Sequence, residues 1–138
     1  IAVLPASLLF ARLRQSLSPW TVFALGFGVL GAGFLVQGLA PSLAWLVAGM
    51  GVSGFGFGLV MPNLSTTVLT LAPAHLRGRL SGGLVSAIFI GQFLSPLVSH
   101  PLVLAGGYQN TFLVSAGLLA AIAAAALVPV LRARASTR

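Results

Sequence analysis

Long apolar segments, separated by short polar or arginine-bearing segments, dominate the sequence. Four of the apolar segments are each long enough to cross a bilayer as a helix, since about 20 helical residues span the hydrocarbon core. None of them shows the strict alternation of barrel strands. The pattern therefore predicts an all-α, polytopic transmembrane helix bundle. The predicted complete spans are 20–40, 43–71, 80–99 and 110–131.

A shorter apolar stretch opens the chain at residues 1–11 and ends at Arg12. It is too short to cross the hydrocarbon core. A signal peptide would also place its charges before the apolar run rather than after it. We interpret 1–11 as the second half of a truncated helix, which predicts further protein sequence before Ile1. Residues 1–138 then form one transmembrane domain fragment with four complete spans and one partial span.

The composition supports a membrane protein and argues against several other functions. The chain is 58% hydrophobic and 5% charged, with a mean hydropathy of +1.09, whereas a soluble domain carries about 25% charged residues. It contains no cysteine, aspartate or glutamate. Acid–base catalysis therefore lacks its usual carboxylate, and the two histidines, His75 and His100, are too isolated in the sequence to indicate a metal site. We expect no enzymatic activity, no metal site and no cofactor.

The seven positive charges are all arginines, and they predict the orientation in the membrane. Positive residues are retained on the cytoplasmic side, so the arginine-bearing segments are predicted to be cytoplasmic, and connections 41–42 and 100–109 external. This places the protein in the plasma (inner) membrane with its C-terminus in the cytoplasm. Long apolar runs separate the clusters, so no basic face forms and no nucleic-acid partner is expected. The arginines lie at 12 and 14, at 77 and 79, and at 132, 134 and 138.

Small residues and prolines inside the spans are candidates for helix packing. Small residues at four-residue spacing let membrane helices approach closely, either for packing alone or for movement of one face against another. Prolines inside a span remove backbone hydrogen bonds and kink the helix. The residues assigned to packing and kinks are Gly54, Gly58, Pro62, Gly83, Gly91 and Pro96.

The polar residues inside the spans are few, and each needs a hydrogen-bond partner or a wet cavity. Gln92 lies near the middle of its span, and Asn63 follows Pro62. An interhelical hydrogen bond and a place in a substrate cavity are both open for these two amides. The full set is Gln37, Asn63, Ser65, Thr66, Thr67 and Gln92.

Several stretches resemble the C-terminal half of a major facilitator superfamily transporter. The most specific is "APAHLRGRLSGGLVSAIFIGQFLSPLV" at 72–98, which resembles the loop and start of the eleventh helix. The segment 46–65 is similar to the glycine-rich tenth helix, and "GGYQNTFLVSAG" at 106–117 to the entry of the twelfth. The stretch 6–19 resembles a degenerate loop signature that keeps Arg12 and Arg14 and lacks the acidic member.

The resemblance implies twelve helices in two halves, with a small-molecule substrate bound between them and released by alternating access. The partners implied are the lipid bilayer and the N-terminal half of the same transporter. Bacterial drug and sugar efflux permeases are the most similar members, which predicts secondary active efflux with possible proton coupling. The alternatives are proton-coupled uptake of a sugar or metabolite and a non-transporting remnant or membrane-interaction subunit. The substrate-cavity candidates are Gln92, Asn63, Phe89 and Phe93.

The resemblance also gives the arginines a candidate role beyond topology. In such transporters an acidic residue of the first half lies against the start of the eleventh helix, here near Arg79 and Ser81. The positive N-terminal end of that helix favours a carboxylate. The predicted cytoplasmic latch comprises Arg77, Gly78, Arg79, Arg12 and Arg14.

Overall fold

A computed structural model of the chain describes residues 17–135, with side chains described as far as residue 132. It contains helix α1 at Pro19–Gly38, α2 at Leu43–Leu71, a 3-10 turn at Ala74–Leu76, and α3 at Arg77–Ala135. Residues 17–135 contain no strand. The predicted all-helical fold is confirmed for this part of the chain. The predictions for the partial span 1–11, Arg12 and Arg14 lie outside the described residues.

The ends of α1 and α2 follow from local chemistry that the sequence makes visible. Ser18 has extended dihedral angles, and its hydroxyl accepts a hydrogen bond from the Thr21 backbone N–H at 3.3 Å. Pro19 then occupies the first turn, where its missing N–H costs nothing. The helix α2 covers the predicted span 43–71, and α1 begins and ends within two residues of the prediction 20–40.

Helices α1 and α2 pack antiparallel with their backbones in close contact. The side-chain amide of Asn63 donates to the Pro19 carbonyl at 2.9 Å, near the start of α1 and towards the end of α2. At the opposite end of α1, a Cβ added to Gly49 would lie 2.7 Å from Cγ of Gln37. Helix α1 therefore presents one face to α2 along its whole length.

The part of α3 that follows residue 107 covers another face of α1, again antiparallel. A Cβ on Gly38 would lie 2.9 Å from Cγ of Leu113, and the rings of Phe34 and Phe112 have centroids 5.9 Å apart. Towards the start of α1, Trp20 and Ala126 line the same apolar pocket of about 390 Å³. Helix α1 is thus the central element of the described fold, between α2 and the last part of α3.

Helix α3 differs from the sequence prediction. Spans 80–99 and 110–131 were predicted to flank an external connection at 100–109, but residues 100–106 are helical. A single non-helical residue, Gly107, with φ 75° and ψ 176°, divides α3 instead. Three helices are long and apolar enough to cross a membrane within residues 17–135, including α3 as one unit. The predicted count of four complete spans is therefore not confirmed.

Replacing Gly107 with alanine should destabilise the protein, because its dihedral angles lie in a region that is essentially restricted to glycine. A residue with a Cβ held there costs about 1–3 kcal/mol. We expect Gly107→Ala to lower the melting temperature of the detergent-solubilised protein by a few degrees in size-exclusion thermal scans. Gly117→Ala is the matched control, since Gly117 is helical and no described atom lies within 4 Å of an added Cβ. Equal melting temperatures for the two variants would contradict a strained turn at Gly107.

Candidate functional site

Asn63 is enclosed between α1 and α2. Its side chain is 0% exposed, and its Nδ2 atom donates to the Pro19 carbonyl. In this structure it therefore makes an interhelical hydrogen bond, one of the two alternatives that the sequence left open, and its place in a substrate cavity stays a prediction. The bond attaches α2, one residue beyond Pro62, to the first turn of α1.

The other three cavity candidates lie together on the first part of α3. Phe89 and Phe93 are one helical turn apart, with exposed fractions of 63% and 75%, and Gln92 is exposed beside them. The side chain of Gln92 makes no hydrogen bond within residues 17–135. The structure thus places Phe89, Gln92 and Phe93 on one helix surface, and Asn63 in a helix interface. Their contact with a substrate stays a prediction.

The residues assigned to packing divide in the same way. Gly58 is buried and Gly54 is half-buried in α2. No described atom lies within 4 Å of a Cβ added to Gly83 or Gly91, so the described residues provide no packing partner for these two glycines. Pro62 lies inside α2, and the Thr66 hydroxyl donates to its carbonyl at 2.7 Å.

A close backbone contact between α1 and α2 uses Gly33 and Gly56, which the sequence prediction did not select. A Cβ on Gly56 would meet the backbone N of Leu30, and a Cβ on Gly33 would meet the backbone N of Ser53. Gly26 and Gly33 are seven residues apart on α1, as are Gly49 and Gly56 on α2. This matched seven-residue spacing is the sequence signal that could have revealed the contact.

The arginine-bearing turn after α2 is stabilised by its own residues. The Leu76 N–H donates to the Pro73 carbonyl at 2.9 Å, and Nε of Arg77 donates to the buried Ala72 carbonyl at 3.3 Å. Helix α3 therefore begins at Arg77, earlier than the predicted start near Arg79. Gly78 and Arg79 are exposed.

The described arginines lie at one end of the bundle. Antiparallel packing brings the end of α2 beside the start of α1, because Asn63 contacts Pro19. The last part of α3 reaches the same end, where Ala126 lines a pocket with Trp20. Arg77 and Arg79 follow α2 there, and Arg132 lies about two turns beyond Ala126.

A small pocket lies at the opposite end, between α1 and α2. Gln37, which is 7% exposed, donates from Nε2 to the Gly33 carbonyl and to the Ser53 hydroxyl, both at 3.2 Å. The Ser53 hydroxyl in turn donates to the Met50 carbonyl at 3.1 Å. The sequence prediction counted Gln37 among the polar residues but gave it no function. This pocket of about 320 Å³ is lined by Leu30, Phe34, Gln37, Met50, Ser53, Gly54 and Phe57.

The described helices are apolar, pack antiparallel and are long enough to cross a bilayer. These properties define a multi-pass membrane protein. The chain belongs to the Major Facilitator Superfamily, whose family model matches residues 1–138. The resemblance stated from the sequence is confirmed at this level. The family is one of transporters rather than enzymes.

Individual relatives agree with this assignment. The uncharacterized MFS-type transporter Rv1250 of Mycobacterium tuberculosis is 31% identical over 126 residues, which cover 90% of this chain and 22% of that protein. An uncharacterized MFS-type transporter of Burkholderia mallei is 35% identical, covering 94% of this chain and 31% of its own length. The niacin transporter NiaP of Acinetobacter baylyi is 33% identical over 68% of this chain and 21% of its own length. No solved structure matches the chain.

The chain thus spans between about a fifth and a third of the length of these curated relatives. Any activity that needs the whole length of such a protein is a proposal for this chain.

Proposed function

We propose that this chain is part of the C-terminal half of a twelve-helix secondary transporter that exports a small molecule by alternating access. The observation that carries the proposal is the match of the Major Facilitator Superfamily model to residues 1–138. The N-terminal half of the same protein would complete the substrate cavity. The exposed surface of Phe89, Gln92 and Phe93 is the part of this chain assigned to that cavity.

In the proposed topology, α3 crosses the membrane twice and reverses at Gly107. Arg77 begins α3 at the arginine end of the bundle, whereas the Gln109 carbonyl lies near Gly38 at the other end. Residues 77–106 must connect these ends, and at 1.5 Å per residue their helix is about 45 Å long, enough to cross a bilayer. Positive charge is retained in the cytoplasm. The arginine end, and with it the C-terminus, is therefore assigned to the cytoplasmic side of the inner membrane.

Efflux, uptake and a non-transporting remnant predict different results. Relatives include a niacin transporter and sugar transport proteins from rice and Arabidopsis, which makes uptake of such compounds the second candidate. A carboxylate that takes part in proton coupling would have to lie outside this chain, because the chain contains no acidic residue.

The alternative of a non-transporting remnant can be tested by reading the coding sequence before Ile1. About seven further spans are expected there if the protein has twelve helices, and a stop codon or an unrelated sequence would contradict a transporter.

Substitution of Gln92 tests both the function and the assigned cavity surface. Cells expressing the full coding sequence should retain less ethidium than empty-vector cells. The uptake alternative predicts accumulation of radiolabelled glucose or nicotinate instead. We expect Gln92→Ala to reduce the observed transport roughly tenfold at unchanged membrane abundance, because it removes a polar contact that a substrate needs in an apolar cavity.

Gln109→Ala is the control for this substitution, because Gln109 is an exposed glutamine on the same helix beyond Gly107. It should leave transport unchanged. Equal losses of abundance and transport in Gln92→Ala would assign Gln92 to packing and contradict its cavity role. Identical behaviour of expressing and empty-vector cells with all three probes would count against transport of these compound classes.

A further inference from the structure

The hydrogen-bond network at Gln37 fixes the orientation of its side-chain amide. The Gly33 carbonyl can only accept a hydrogen bond, so the atom facing it must be the amide nitrogen. The Ser53 hydroxyl uses its proton on the Met50 carbonyl and therefore accepts from the same nitrogen. Both protons of the Gln37 amide are thus engaged, and the identity of its oxygen and nitrogen follows from the network itself.

The Oε1 atom of Gln37 is consequently an acceptor without a donor. Within residues 17–135 no group donates to it, and all of the hydrogen bonds of Gln37 are accounted for by its nitrogen and its backbone. The described structure also contains no enclosed polar atom that lacks a partner. Oε1 therefore keeps accessible surface, although the residue as a whole is only 7% exposed, and the pocket that Gln37 lines is the cavity beside it.

The remaining walls of this pocket are apolar. Phe34 and Phe57 contribute aromatic rings, and Leu30 and Met50 contribute aliphatic surface. Its volume of about 320 Å³ lies at the lower end of the range of small-molecule sites. Apolar walls with one or a few fixed polar groups are typical of such sites.

We propose that this pocket between α1 and α2 binds a small, neutral, largely apolar molecule carrying one hydroxyl group, such as an aromatic alcohol, which donates to Oε1 of Gln37. The ring of the ligand packs against Phe34 and Phe57. The site goes beyond the proposed transport function and is independent of it, because it is formed by α1 and α2 and not by the Phe89–Gln92–Phe93 surface.

The network also decides which ligands are excluded. A carboxylate would place its oxygens against Oε1, and the Gln37 protons are already engaged, so an anion finds no donor there. A cation would leave water for a site that offers one neutral acceptor and no acidic residue, and burial of an unpaired charge is costly. A methyl ether of the same size fits the walls but leaves Oε1 without a donor, which makes it the discriminating analogue.

Photoaffinity labelling can test the site directly. A trifluoromethyl-diazirine phenol and its methyl ether would be photolysed with the full-length protein in phosphatidylcholine nanodiscs, and labelled residues mapped by mass spectrometry. We expect the phenol to label residues 30–37 and 50–57 about three- to tenfold more than the ether, as the loss of one hydrogen bond predicts. Thymol should compete with the phenol, and thymol methyl ether should not.

Substitutions separate binding from folding. Gln37→Met keeps the length of the side chain without the acceptor and should abolish the preference for the phenol. Asn63→Leu removes the other buried amide of the same interface, far from the pocket, and should retain the preference. If Gln37→Met does not fold, the phenol-to-ether ratio and the thymol competition on the unmodified protein remain decisive.

The outcomes are distinct. Equal labelling by phenol and ether, labelling outside residues 30–57, or an unchanged preference in Gln37→Met would overturn the site. A membrane lipid could supply the same hydroxyl, so the experiment is repeated with phosphatidylglycerol added. Reduced labelling would identify a lipid hydroxyl as the occupant of the site, and unchanged labelling would assign the site to free solutes. None of these results depends on measurable transport.

Discussion

Gly56→Ala and Gly33→Ala should each destabilise the protein far more than a methyl group added at Gly28 or Gly51 of the same two helices. The added Cβ of Gly56 would meet the backbone N of Leu30 and lie 2.8 Å from the Gly26 carbonyl, and that of Gly33 would meet the backbone of Ser53. Backbone atoms cannot rotate away as a side chain does, so α1 and α2 must separate along the interface. We expect each substitution to cost about 3 kcal/mol, the upper part of the usual range for overpacking.

The same helices supply controls of identical chemistry. Gly28 and Gly51 have no described atom within 4 Å of an added Cβ. Gly28→Ala and Gly51→Ala should be neutral or slightly stabilising, because alanine is the better helix former by about 1 kcal/mol. Melting temperatures and the monodisperse fraction after detergent extraction would compare all four variants. Four similar melting temperatures would contradict a backbone contact at Gly33 and Gly56.

The sequence could predict the helix ends because turn chemistry marks them locally. Ser18 followed by Pro19 is a helix start that needs no tertiary partner, and α2 occupies its predicted range in full. The predicted connection at 100–109 contains Pro101, and a proline disfavours helical dihedral angles in the residue before it. Membrane helices tolerate internal prolines, and the break falls on Gly107 instead.

The contacts between helices were harder to predict, because they depend on which faces meet. Four-residue spacing selected Gly54 and Gly58, and their role in packing stays a prediction, whereas the described backbone contact with α1 also uses Gly56, which that spacing did not select. When two helices pack nearly parallel or antiparallel, residues about seven apart on one helix contact the same face of the other. Only the matching spacing on the partner helix shows which glycines make the contact. That partner is α1.

The Gln37 pocket was similarly out of reach of the sequence alone. Gln37 and Ser53 are sixteen residues apart and meet only after α1 and α2 have packed. Nothing local to Gln37 distinguishes it from Gln92 as a polar residue in an apolar span. Only the tertiary fold makes the two residues different, because it engages both amide protons of Gln37 and leaves Gln92 exposed.

Neutralising Arg77 and Arg79 together should shift the full-length protein towards states that open to the cytoplasm. Under the proposed function, these arginines and the N-terminal end of α3 attract an acidic residue of the other half when the cytoplasmic side is closed. The two side chains differ in the structure. Nε of Arg77 is engaged with the Ala72 carbonyl, whereas the side chain of Arg79 makes no hydrogen bond or ion pair within residues 17–135. Arg79→Gln should therefore account for most of the shift, and Arg77→Gln should also loosen the turn.

Residues 1–138 contain no cysteine, so a cysteine introduced here is the one thiol of this segment, and any cysteine elsewhere in the full-length protein would first be replaced by serine. Ser86→Cys places the thiol on the helix face of Phe89 and Phe93, nearer the arginine end, where a charged thiol reagent applied from the cytoplasm reaches it only in the open state. We expect the double substitution of Arg77 and Arg79 to raise the labelling rate roughly fivefold, since exposed charge pairs contribute at most about 1 kcal/mol. Arg132→Gln removes the same charge from the same end of the bundle without touching the start of α3, and should leave the rate unchanged. Equal labelling rates in all of these variants would show that the arginines determine only the orientation of the protein in the membrane. That orientation needs positive charge at this end of the bundle, but it needs no acidic partner at the start of α3.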